Sequence, residues 1–202
     1  MSKQLYVDPN HTITRTPLHL YNYCLDRLDK VERVKAVQGI TEIVTREYKG
    51  IISNLGEALM FGEAEAAAVL AYLYYHGYGY KQNINKVKLY IAIGNNLGSE
   101  VCNKYMKGQD DETLDIGDFL KTKPVYSTAL LNTATNYANA CKVNAKNHPS
   151  NELITSEIIV EAQNIFEAAD PSHILDDPLN IEHYGKTNLA GDSAKHHHCD
   201  IL

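Results

Sequence analysis

The chain has 202 residues, 44% of them hydrophobic and 22% charged, which excludes a disordered polymer and predicts one sizeable core with tails. Its net charge of −6, without any cluster of lysine or arginine, removes the electrostatic footprint of a nucleic-acid binder. No apolar run approaches the ~18–20 residues of a transmembrane helix, and the scattered Cys24, Cys102, Cys141 and Cys199 form no CxxC pair, which excludes a zinc ribbon, a redox pair or a dense disulfide framework.

The opening "MSKQLYVDPNHTITRTP" has no apolar h-region, no small-residue cleavage site and no arginine-rich character, so a cytoplasmic protein is expected. Residues 1–16 read as an extended arm. Thr16 then caps a helix whose first residue is Pro17, and Leu18, Tyr21, Leu25 and Leu28 recur at 3–4 spacing, predicting a helix over about 17–29. A second begins near Thr41, with Ile40, Ile43, Val44, Ile51, Ile52 and Leu55 as its apolar face and Gly50 and Gly56 weakening it. A third is predicted over about 63–75 and a fourth over about 83–96. Asp111 is placed to cap a short helix through Leu120, and "VYSTALLNTATNYANACKV" supplies a longer, small-residue helix. Ser150 is the expected cap of the last one, with Leu153, Ile154, Ile158, Ala162, Ile165 and Phe166 buried.

No proline falls between Pro17 and Pro124, and strand signals are confined to brief alternation at the N-terminus with no partner. The reading is all-α: an arm over 1–16, a helical domain over 17–169, and an irregular tail over 170–202 rich in Asp, Asn, Gly and Pro.

"HGYG" at 76–79 raises the question of a phosphate loop. A dinucleotide loop needs a preceding strand and a third glycine, where this chain has an alanine-rich helix and Gln82; a Walker loop needs Gly-Lys-Ser/Thr, which is absent. A corner between helices accounts for more: Gly77 and Gly79 give backbone freedom where one helix stops, and Asn83 starts the next.

From Ala66 the order Leu70, Ala71, Tyr74, Gly77, Gly79, Asn83, Val87, Tyr90, Gly94, Gly98, Cys102 resembles the Sel1-like repeat, a relative of the tetratricopeptide repeat. The family pattern has glycine where this chain has Ala71, valine at Tyr80, aspartate at Asn83, and alanine at Val87 and Cys102. "FGEAEAA" is similar to the end of a preceding unit, since Gly62 stands before Ala66 as Gly98 stands before Cys102. The likeness covers about 66–102, with degenerate flanking units. It implies antiparallel helical hairpins stacked as a short solenoid, because one such hairpin cannot bury its apolar face alone. It also implies a non-catalytic scaffold or adaptor that binds a protein partner, in a larger assembly or as a host-binding effector, with no cofactor.

Tyr72, Tyr75, Tyr78 and Tyr80 are candidates for an exposed aromatic interaction surface, with Tyr74 and Tyr90 as core residues. Other chemistry is thin. His11 in "HTIT" is similar to one H-x-T element of two-histidine phosphoesterases, but no second element exists. "HHHC" at 196–199, with His183 and Asp192, offers transition-metal ligands, and so keeps a metal-dependent hydrolase or metal-binding protein as the alternative. The terminal "CDIL" is similar to a prenylation box on Cys199, though Asp200 is not aliphatic and Lys195 is the one nearby cation. Membrane association is expected only if that cysteine is lipidated. No catalytic or metal-binding set emerges from spacing.

Overall fold

A computed structural model describes residues 16–169, and these form an all-α structure of eight helices without a β-strand. They are α1 (Pro17–Gln38), α2 (Glu42–Met60), α3 (Glu65–His76), α4 (Ile84–Leu97), α5 (Glu100–Met106), α6 (Gly117–Lys121), α7 (Thr128–Asn147) and α8 (Ser156–Ala169). The arm before Thr16 and the tail from 170 lie outside the described residues, and with them His11, His183, Asp192, the "HHHC" run and Cys199.

Local chemistry explains most of the helix starts. Thr16 accepts from the His19 N–H, Thr41 from Val44, Asn83 from Lys86, Ser99 from Cys102 and Ser127 from Leu130. Each such cap is worth about 1 kcal/mol. Pro17 sits at the first helical position of α1, where its missing N–H leaves no hydrogen bond unmade.

The main packing pairs are α1 with α2 and α3 with α4, with α2 against α3 joining the two hairpins. α7 lies along α4 and touches α2, and α8 packs on α7. The core between them is filled by Leu20, Tyr48, Leu55, Leu59, Leu70, Leu73, Leu89, Ile91, Ile93, Tyr105 and Tyr137, all fully buried. Burying an aliphatic side chain of this size contributes about 1.5–3 kcal/mol. The run Ala66, Ala67, Ala68 and Ala71 keeps α3 thin, so that neighbouring backbones close in on it. Asn144 of α7, also fully buried, donates from Nδ2 to the carbonyls of Met60 and Ala162, tying α7 to the end of α2 and to α8.

Several local expectations are corrected. α1 continues to Gln38, and its buried stripe is Leu20, Cys24, Leu28 and Val31, while Leu18 and Leu25 are exposed. Both stripes obey 3–4 spacing; the buried one includes Cys24, which packs as a small hydrophobe. Ile40 and Ile43 are 64% and 62% exposed at the α1–α2 corner rather than buried. Asp111 caps no helix: it accepts from the Thr113 N–H and from Lys104 in the loop before α6. Ser150 caps none either; Thr155 Oγ1 accepts from the Ile158 N–H at the start of α8, and Leu153 is exposed. The periodicity does not delimit α5, since seven residues make too few turns to show one.

Candidate functional site

The corner between α3 and α4 is built by two left-handed glycines. Gly77 (φ +70°) ends α3, its N–H donating to the Leu73 carbonyl, and Gly79 (φ +81°) turns the chain toward α2. A Cβ on Gly79 would lie 3.0 Å from Tyr48 Cβ and 3.1 Å from the Lys49 backbone nitrogen, so glycine is required by both conformation and space. The Asn83 N–H donates back to the Tyr74 carbonyl, which closes the corner before Asn83 caps α4.

That corner sorts the tyrosines into two groups. Tyr74 stacks on Tyr90 (centroids 5.6 Å apart) and on Tyr80 (6.2 Å), with Lys86 above Tyr74 and Lys49 above Tyr80. Tyr74 and Tyr90 are buried here with Leu70, Ala71 and Val87, as the sequence indicates. Tyr80 belongs to this group, apart from the other three candidate surface residues, with its ring against Tyr74 of α3 and near Lys49 of α2.

The second group centres on His76. Its ring stacks on Tyr78 at 5.2 Å and meets Tyr72 at 4.6 Å and Tyr75 at 4.9 Å edge-on. Tyr78 in turn stacks on buried Tyr48 at 4.9 Å, under the Lys35 ammonium at 3.9 Å. Tyr48 donates its hydroxyl to Glu32, which also pairs with Lys35. Burial, followed by the Glu32 hydrogen bond, pushes the Tyr48 phenol well above its ordinary range, and burial does the same to Tyr72. Tyr72, Tyr75 and Tyr78 are each half-buried and His76 is exposed, so the cluster forms a surface of aromatic faces and edges.

One wall of this surface is the loop before α6. His76 Nε2 lies 2.9 Å from the Asp115 carbonyl oxygen, an atom that can only accept. The Nε2–H of His76 therefore donates this bond. Asp115 Oδ1 accepts from the Gly117 N–H at 2.8 Å; that bond first, then the neighbouring Asp110 carboxyl, holds the Asp115 carboxyl below the usual carboxylate range. Gln82 donates to the Tyr75 carbonyl from the corner side. Together Tyr75, His76, Gln82, Asp115, Gly117 and Asp118 line an open depression of about 330 Å³.

Sequence reasoning thus finds Tyr72, Tyr75 and Tyr78 but not His76, Tyr48, Lys35, Glu32 or Asp115. Of these, Tyr48, Lys35, Glu32 and Asp115 come from other helices and a loop. His76 stands inside "HGYG", and its adjacency to three tyrosines is the available signal. Among the described residues no group of three or more His, Cys, Asp or Glu is arranged to hold a metal ion, and no helix is long and apolar enough to cross a membrane. Cys24, Cys102 and Cys141 are buried, and burial pushes the Cys102 thiol up to about 12 and Cys141 further. Such thiols are poor nucleophiles and poor ligands at neutral pH.

Compared with known protein families, curated proteins and solved structures, the chain matches none.

Proposed function

We propose that this protein is a non-catalytic interaction module that binds a segment of a protein partner on the aromatic surface around His76. The observation that carries the reading is the joining of Tyr72, Tyr75, Tyr78 and His76 into one half-exposed cluster, braced by Tyr48 stacked on Tyr78, by Lys35 over the Tyr78 ring and by Glu32, which pairs with both Tyr48 and Lys35. Tyrosine offers a large contact area at little conformational entropy and is enriched where proteins meet. The Sel1-like spacing from Leu70 to Cys102 supports the same role, since hairpin stacks of that kind serve as scaffolds. A cytoplasmic location, with partner and assembly inside the cell, belongs to the same proposal.

The test is affinity capture from the cell of origin, comparing the wild type with a Tyr75→Ser, His76→Ser double variant and with Val160→Ser on α8 as a control at a distant exposed residue. The wild type and the control are expected to enrich the same protein, and the double variant to lose it by roughly tenfold or more, as for hot-spot residues. Equal capture by all three would refute the site.

A further inference from the structure

We infer that the depression beside His76 is a seat for an arginine side chain of the partner, a reading that rests on the interaction role proposed above. Its volume of about 330 Å³ lies at the small end of ligand sites and suits one side chain rather than a cofactor. Among the described residues its permanent charges are the carboxylates of Asp115 and Asp118, and no lysine or arginine lines it. An anion entering it would meet two carboxylates.

A cation meets the opposite situation. Asp118 shares its charge with Lys121 at 2.8 Å, so Asp115, exposed and held ionised, supplies the larger part of the field. Tyr75 and His76 add ring surfaces beside these acceptors. A planar guanidinium can lie on an aromatic ring and direct its in-plane N–H groups at a carboxylate at the same time, whereas an ammonium is a strongly hydrated point charge that does each less well. The larger neighbouring cavity, about 690 Å³, is lined by Lys107, Lys121 and Lys123 as well as Asp110, Asp115 and Asp118, and so selects neither sign. The charge preference is therefore local to the aromatic side of Asp115.

The full chain, labelled with ¹⁵N, is titrated with N-acetyl-arginine amide, and in parallel with the lysine and glutamine analogues. The arginine probe is expected to shift the amides of Tyr75, His76, Gln82, Asp115, Gly117 and Asp118 saturably, the lysine probe to bind at least about threefold more weakly, and the glutamine probe to leave them unmoved. In the Asp115→Asn, Asp118→Asn double variant, the new side-chain amide oxygen at position 115 can still accept from the Gly117 N–H. Arginine affinity should there fall roughly tenfold while the melting temperature stays within a degree or so. No saturable shift at these amides, an equal response to glutamine, or unchanged affinity in the double variant would each overturn the inference. These titrations need no partner, so their failure leaves the aromatic surface standing, while equal capture of the partner by all three proteins would refute that surface and leave an arginine response of the unsubstituted chain in place.

Discussion

A Cβ added to Gly94 on α4 would stand 2.4 Å from Cys102 Sγ on α5 and 2.9 Å from Ala67 Cβ on α3. Three helices therefore meet at one glycine, which has ordinary helical geometry and is needed for space rather than for conformation. Gly94→Ala is expected to destabilise by about 1–3 kcal/mol, the range for overpacking a filled core. Gly50, in the middle of α2 with no atom of the described residues within 4 Å of an added Cβ, provides the opposite case. Gly50→Ala should stabilise by about 0.4–1 kcal/mol through the unfolded chain's lost freedom. Urea unfolding of the two variants checks both signs at once; stabilisation by Gly94→Ala would contradict the three-helix contact.

Gly79→Val combines strain with collision, because the residue has φ +81° and its Cβ would press on Tyr48, Lys49 and Ile52. The substitution should destabilise by about 1–3 kcal/mol or more. It should also weaken partner capture, since Tyr78 would be lifted from Tyr48. An unchanged thermal midpoint would show that the corner does not constrain the chain as described.

Glu65, the first residue of α3, reaches the start of α5: one carboxylate oxygen accepts from Ser99 Oγ at 2.8 Å and the other from the Glu100 N–H at 2.7 Å. Glu65→Ala removes both acceptors and should cost about 1–3 kcal/mol, with Glu65→Gln losing less because its carbonyl oxygen still accepts. Differential scanning calorimetry of the pair would reveal the order; equal losses would show that the carboxylate contributes through charge alone.

Alkaline pH provides a further test. Burial pushes the Tyr21 phenol up to about 12 and moves Tyr48, Tyr72, Tyr105 and Tyr126 upward as well. In the unfolded chain these phenols ionise near pH ~10. The folded state thus retains protons that the unfolded state releases, so stability is fully present below pH ~10 and falls as pH rises toward ~12 and beyond. Tyrosinate absorbance of the buried set should appear together with the loss of far-UV ellipticity. Ionisation of all tyrosines near pH ~10 with the helices intact would contradict their burial.

The helical class is legible in the sequence because apolar residues recur at 3–4 spacing through most of residues 17–169, and because Thr16, Thr41 and Asn83 are caps with a visible mechanism. The corner is legible for the same kind of reason: Gly77 and Gly79 do have positive φ. The α1 stripe is ambiguous because Leu18–Leu25 and Leu20–Cys24–Leu28 both satisfy the helical period, and only packing on α2 selects between them. Local capping rules nominate Asp111 and Ser150; Asp111 bonds within its own loop, and Thr155 takes the capping role at α8. The candidate surface is half legible. Tyr72, Tyr75 and Tyr78 are close in sequence, but Tyr48, Lys35 and Asp115 reach the cluster through tertiary contacts that no local window contains.

The central claim, that the partner sits on the aromatic surface around His76, is tested most directly by amide hydrogen exchange on the protein with and without its captured partner. Exchange is predicted to slow on binding at residues 72–82 and in the loop over 110–119, with α7 and α8 unchanged. Protection confined to α7 and α8, or to the exposed apolar corner at Val37, Ile40 and Ile43, with none around His76, would contradict it.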